Sequence, residues 1–428
     1  MLPGRTILIE NDRIKSVAQG AAVPRGARVI DARGKYIIPG LIDAHVHVVH
    51  VLDFAQVTGD EVMPLYLAYG VTSIRDTGDF VAAQKLVARY ADSRPELCPR
   101  LFLCSPLIDR DPPFHRDIGF ALTDPDKAEE FVGEMKAWGV STLKLYVGTE
   151  RPVGKAVIAA AHRAGLPVTG HLGKYTAQDA VADGIDSLEH IWSVFDYSFP
   201  PDSPGRATAE ESRTLDPAER SRRVLERRAR LDLENPTARD LVETVRRAKI
   251  PVDPTLVVFR NMILLNDLPE FHQHPDNEIV PKRLSKYWSG YRSRSALPPD
   301  TQLLRREEFS RYQQLTGNLY RAGVPLLAGT DSPEPFVPPG ASLHQELELL
   351  VNSGLTPAAA LQTATIHNAR ALQQAHNLGS IEAGKLADMV ILDANPLADI
   401  RNTRRIFKVV RGGIICSPET LLKASPRE

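Results

Sequence analysis

From His45 onward the chain alternates short apolar, strand-like runs with helical ones, and that alternation limits the fold more than any other feature. "GVTSIRDTG" is followed by "FVAAQKLVARYA", "RLFLCSPLI" by "DPDKAEEFVGEMKAWG", "VSTLKLYVG" by "GKAVIAAAHRAG" and "LPVTGHLG" by "TAQDAVADG". "IDSLEHI", "IPVDPTLVVF" and "VPLLAGTDS" continue the series. With the run that ends in "DAHVH", eight β units result, each followed by helix or loop. That pattern predicts an α/β fold, a (β/α)8 TIM barrel, in which functional side chains collect where strands end and βα loops begin.

The two chain ends read differently. "TILIE", the Asn11-Asp12 turn and "RIKSVA" are hairpin signals, as are "GSIEAGKLADMVILDANPL" and "IFKVVRGGIIC". Residues 1–44 and 376–428 are therefore expected to form one small β-sandwich-like domain, with the barrel occupying 45–375. An excess of sequence at about 195–315 marks an insertion, placed to act as a lid over the barrel mouth. Its arginine-rich run, "AERSRRVLERRARLDLENPTARDLVETVRRAK", has acidic residues interleaved, so a solvated helix is expected there rather than a nucleic-acid surface. Downstream, Ser342 is expected to cap a helix with Gln345 as its capping-box partner, and Thr356 to cap the next, before Pro357.

Bulk properties exclude several classes. Lys and Arg number 52 against 53 Asp and Glu, so no whole-chain field draws in nucleic acid or an anionic membrane. Cys98, Cys104 and Cys416 give neither a disulfide framework nor a cysteine-built zinc site. No apolar run approaches the ~20 residues that span a bilayer. The start, "MLPGRTILIENDRI", lacks the regions of a signal peptide, which as given places the chain in the cytoplasm.

Polar residues at the expected strand ends form a set. Strand 1 ends in His45 and His47, two positions on one face. Strand 4 carries Lys144, strand 5 His171, strand 6 His190 and strand 8 Asp331. Each alone has an ordinary structural explanation, such as a histidine satisfied by a carbonyl. Four imidazoles, an amine and a carboxylate at one rim describe a catalytic metal site instead, since structural zinc sites close their coordination shell. Lys144 lies between Leu143 and Leu145 on a strand that should be buried, where an unpaired ammonium is costly. Carbon dioxide can remove that charge by converting the amine to a carboxylate.

"PGLIDAHVH", Lys144, His171, His190 and "GTDS", in this order, resemble the amidohydrolase superfamily, and "NAR…LGSIEAGKLADMVILDANPL" resembles its C-terminal segment. The resemblance implies one metal on His45, His47 and Asp331, a second on His171 and His190, and carboxylated Lys144 bridging them, most simply as two zinc ions per chain. It also implies that Asp331 shuttles a proton for a metal-bridging hydroxide. Deaminase-like members carry a glutamate shortly after the strand-5 histidine, whereas here Leu172, Gly173 and Lys174 follow His171. "GASLHQELELLVNSGLTPAAALQTAT" is similar to the branch of imidazolonepropionases and Xaa-Pro dipeptidases with their carboxypeptidase relatives.

The expected substrate is thus a small amide, a dipeptide or an N-acyl amino acid, cleaved at a C–N bond. A cyclic amide, lactone or phosphoester in the same cage is the alternative, as is a non-catalytic metal-binding barrel. His115 and Tyr146 are candidate substrate contacts. His50, His272, His274 and His344 are assigned to surface or helix positions, His344 within a helix's first turn near the mouth. A homo-oligomer is compatible with the sequence. Superfamily members usually begin with one further strand, so a start upstream would make the protein secreted or periplasmic. "GSIEAGK" satisfies GxxxxGK, but Leu386 stands where a phosphate loop needs Ser or Thr, which makes its glycines turn residues.

Overall fold

The structure, a computed structural model, describes residues 2–20, 22–263, 274–294 and 299–425. An N-terminal hairpin, β1 (Arg5–Glu10) and β2 (Arg13–Gln19), is followed by β3 (Tyr36–Pro39) and then by the first barrel strand, β4 (Leu41–Val46). The barrel continues with β5 (Val71–Asp76), β6 (Arg100–Phe102) and, after one residue, β7 (Cys104–Asp109). A short edge strand, β8 (Gly119–Ala121), pairs with β7. The remaining barrel strands are β9 (Thr142–Leu145), β10 (Val168–Gly170), β11 (Ser187–Glu189) and β12 (Val252–Asp253).

All of these barrel pairings are parallel. The ring closes through the segment 324–332, which has no ladder of its own. Leu326 bridges Val252 and Ser332 bridges Val46, both in parallel sense. Leu327 N–H donates to Val252 O at 2.9 Å, and Ala44 N–H to Ala328 O at 3.1 Å. Asn368 reinforces this seam from outside, its amide donating to Ile42 O at 2.7 Å and Ala328 O at 2.8 Å. The eighth strand expected from "VPLLAGTDS" is therefore present as a bridge between β12 and β4.

The seventh strand is shorter than the sequence suggests. "LVVF" of "IPVDPTLVVF" belongs to the helix Leu256–Ile263, because Pro254 withholds a ladder donor and Thr255 turns the chain with φ 46°. Part of the charged run is an ordinary barrel helix. Asn235 caps Pro236–Ala248 by accepting from Ala238 N–H, and Ala238, Leu241 and Val245 bury one face at helical spacing. Arg228, expected in solvent, is buried between Asp196 and Glu308. Gly340, not Ser342, stands at the start of the helix Ala341–Asn352, and the Ser342 hydroxyl is buried without a partner among the described residues.

The chain ends are woven together. β13 (Met389–Leu392) pairs antiparallel with β3 and with β14 (Ile406–Arg411), which pairs with β15 (Ile414–Cys416). A bridge from Arg13 to Leu386 joins the hairpin, and Ile14, Ala387, Met389 and Val410 share a core with Ile7, Ile9 and Val17. Gly379 and Gly384 take φ 86° and 89°, as turn glycines do. Among the described residues no helix is long and apolar enough to cross a membrane.

Candidate metal centre

Each residue of the expected set stands at the C-terminal end of a barrel strand. His45 is in β4 and His47 just beyond it, Lys144 is in β9, and His171 and His190 directly follow β10 and β11. Asp331 closes the segment 324–332. His190 and Asp331 both adopt φ 62°, a left-handed conformation that costs a non-glycine residue free energy and re-aims its side chain at a strand end.

The structure brings these side chains together. Asp331 Oδ1 lies 3.4 Å from His45 Nε2 and 3.2 Å from His47 Nε2. Ligand atoms of His45, His190 and Asp331 all lie within 4.8 Å of one another. The rings of His45 and His190 are 4.6 Å apart and those of His190 and His171 4.3 Å. Lys144 is fully buried, and its Nζ makes no hydrogen bond among the described residues.

A shell of buried polar groups, most of it not singled out from the sequence, fixes the orientation of these residues. Glu189 Oε2 sits 2.7 Å from His45 Nδ1. The other oxygen of Glu189 accepts from Arg75 Nη2 at 2.5 Å and from the Thr169 hydroxyl. Asp43 accepts from the backbone N–H of His45 and Thr330 and from the Thr330 hydroxyl at 2.7 Å, tying β4 to the last barrel segment. Asp253 accepts from Gly329 N–H at 2.9 Å, and with Glu189 and His45 it forms a second group of close donor atoms. His190 Nδ1 lies 2.8 Å from the Thr255 hydroxyl. A third group, His47, Asp76 and Asp79, lies behind His47. The sequence held a signal for three of these: Glu189 immediately precedes His190, and Arg75-Asp76 interrupts an apolar strand.

Burial sets the electrostatics. It lowers the imidazole of His45 to about 4 and that of His171 to about 3, and it holds His190 well below the ordinary range, with neighbouring cationic groups adding to the effect. Burial likewise lowers the Lys144 amine. For Asp331 burial would raise the carboxyl, but the imidazoles of His45, His47 and His190 outweigh it and hold the group well below the ordinary range. His47 departs from the other imidazoles: against the opposing effect of burial, its hydrogen bond and charge attraction to Asp331, with Asp76 nearby, raise it.

Whether these residues suit a cation can be tested on the donors themselves. His45 Nδ1 and His190 Nδ1 are taken by Glu189 and Thr255, and His45 Nε2 turns toward Asp331. Lys144 Nζ, Asp253 Oδ2 and His47 Nδ1 are buried without partners among the described residues. Nitrogen and oxygen donors converging with unmet polar capacity fit a divalent cation.

The other candidates ring the mouth. Tyr146 lies 5.1 Å, ring to ring, from His171, His115 lies 5.6 Å from Tyr146, and His50 lies 5.9 Å from His115 and 6.2 Å from His47. His50 is therefore a half-buried member of this ring and not a surface residue. His344 is removed from the mouth, buried between Tyr69 O and the Thr403 hydroxyl. His274 is exposed and caps a short helix, and His272 lies outside the described residues.

Comparison with known proteins finds matches in sequence and in fold. A curated imidazolonepropionase of Geobacillus kaustophilus is 43% identical over 76 residues, 18% of each chain. A dihydroorotase of Trichlorobacter lovleyi is 51% identical over 41 residues, 10% of each chain, so the matched stretch spans a tenth of that relative. Among solved structures, bottromycin amidohydrolase superposes with a TM-score of 0.72 at 22% identity, covering 99% of this chain and 86% of its own. A Xaa-Pro dipeptidase with bound methionine gives 0.67 at 19% identity, covering 96% and 94%. These likenesses show the shared fold. The model of the amidohydrolase family matches residues 36–415, and the chain belongs to that family.

Proposed function

We propose that the protein is a metal-dependent hydrolase that cleaves the C–N bond of a small amide, a dipeptide of Xaa-Pro type or an N-acyl amino acid. The observation that carries this reading is the convergence of His45, His190 and Asp331 beside the buried, unpartnered amine of Lys144. In this reading His45, His47, Asp331, His171 and His190, with Lys144 carboxylated by carbon dioxide, would hold two zinc ions. When bound, such cations supply a water acidic enough to attack at neutral pH and draw electron density from the carbonyl.

The chain's own groups do the rest. Asp331, held ionised by the surrounding imidazoles, accepts the proton of the attacking water and returns it to the leaving amine. In this reading Tyr146, 5.1 Å ring to ring from His171, and His115 beside it hold the substrate carbonyl or carboxylate. Relatives in the same fold support an amide, a Xaa-Pro dipeptidase and bottromycin amidohydrolase among them.

The test is metal content per chain after expression with zinc and bicarbonate, wild type against Lys144→Ala, followed by a screen of dipeptides and N-acyl amino acids. About two metals per chain, falling in the variant, together with hydrolysis abolished by Asp331→Asn, is the expected result. One metal that ignores Lys144 would remove the bridging role, and turnover that survives Asp331→Asn would remove the proton shuttle.

A further inference from the structure

At the end of the barrel opposite the histidines lies a cavity of about 560 Å³. Its floor is made where strands begin, by Pro167, Pro251 and the backbone run Val324–Leu327. This lining is largely apolar, and its size falls in the range of small-molecule pockets, roughly 300–1,000 Å³. Two cationic side chains from different elements join the lining. Lys249 ends the helix Pro236–Ala248 in a left-handed conformation, and Arg370 belongs to the short helix Asn368–Ala371. Both residues are solvent-exposed, and neither makes a side-chain hydrogen bond or ion pair among the described residues. The one acid of the lining, Asp186, is already engaged by His162 at 2.9 Å and by Val168 N–H at 2.8 Å.

The opposite wall carries a second unusual feature. Residues Thr363–His367 form a π-helical turn, a rare widening of the helix that recurs at functional sites, and both Thr363 and His367 face the cavity. His367 Nδ1 donates to Leu326 O at 3.0 Å, so the π turn is tied to the floor. That floor belongs to the segment that closes the barrel and ends in Asp331.

We propose that this cavity binds a small amphipathic organic anion, a monocarboxylate on an apolar body. The body lies on the prolines and Leu326, and the anionic head meets Lys249 and Arg370. An occupant touches the same backbone run that delivers Asp331 to the far end of the barrel, so binding tightens the closing seam and raises resistance to unfolding. The site is separate from the candidate metal centre and does not depend on what that centre hydrolyses.

The test titrates the full-length chain with 8-anilinonaphthalene-1-sulfonate, an anion on an apolar body, by fluorescence and calorimetry, with octanoate as competitor. One saturable site is expected, displaced by octanoate, weakened about tenfold or more in Lys249→Glu/Arg370→Glu and retained in Asp331→Asn. Equal affinity in the charge-reversed variant would overturn the proposal, as would loss in Asp331→Asn, which would move the probe to the metal end. If charge reversal prevents folding, Ala371→Phe asks the same question by filling the cavity. Unchanged affinity there is the overturning result.

Discussion

Glu189 Oε2 stands 2.7 Å from His45 Nδ1, and both side chains are fully buried. A carboxylate accepts only, so the imidazole N–H is committed to Glu189 and the Nε2 lone pair faces Asp331. Glu189 is in turn held by Arg75 and Thr169. Replacing it by Gln leaves the Arg75 guanidinium buried against a neutral amide. We expect Glu189→Gln to destabilise the fold by about 3–5 kcal/mol and to weaken metal retention by about 10–100-fold. Chemical denaturation and competition with a chelator read the two effects separately.

Lys144 offers the opposite trade. Its amine is buried and unpartnered, so its charge opposes folding of the metal-free chain. Lys144→Met, similar in volume and apolar, is expected to stabilise the metal-free protein by about 1–3 kcal/mol while metal content falls. Urea melts of chelator-treated wild type and variant measure the first effect, elemental analysis the second. A variant that is less stable without metal would show that the amine has a partner in solution.

One side-chain amide reinforces the closing seam. Asn368 donates to Ile42 O and Ala328 O where no ladder joins the last segment to β4. Asn368→Ala removes a donor from Ile42 O and the acceptor of Ala328 N–H, while Ala328 O keeps its bond from Ala44 N–H, and should cost roughly 1–3 kcal/mol. Amide exchange at Ala44 and Leu327 should speed up more than exchange in β9 and β10.

Close packing limits the seam in another way. A Cβ added at Gly329 would lie 2.2 Å from Asp253 Oδ2 and 2.5 Å from His45 Cβ. Gly329→Ala is therefore expected to push His45 or Asp253 aside, lowering metal affinity more than Gly133→Ala, where nothing lies within 4 Å. Equal metal affinities for the two variants would mean that the seam relaxes without disturbing His45.

A pH effect follows from Glu346, buried in the helix Ala341–Asn352 and accepting from Val257 N–H at 2.7 Å. Burial raises its carboxyl from 4.5 to about 8. Between those values the folded chain keeps a proton that the unfolded chain releases. Glu346 thus contributes most below pH 4.5, and that contribution is lost as the pH rises through about 8. In metal-free protein, the urea midpoint of Glu346→Gln should fall less from pH 5 to pH 8 than that of wild type. Parallel profiles would show that Glu346 is ionised in the fold.

The eight barrel units and the six residues at their ends could be read from the chain because strand periodicity and residue chemistry are local properties. The shell behind them could not. Asp43, Arg75 and Asp253 look like polar interruptions of apolar strands until closure places them against Thr330, Glu189 and Gly329. Ser342 illustrates the reverse error. Its residue type suits a cap, but the chain turns at Gly340 with φ 73°, where a side chain would run into the backbone of Leu65 and Tyr66. Arg228 reads as one of many solvated arginines, and only the fold reveals Asp196 and Glu308 beside it.

The hydrogen bond from the Thr330 hydroxyl to Asp43 joins residues 287 positions apart. During synthesis, then, His45 and His47 leave the ribosome long before Asp331 exists to complete their surroundings. A nascent or truncated chain offers metal only scattered histidines. In the proposed reading the full set of donors forms only when the final barrel segment docks, so metal capture would be tied to closure of the barrel.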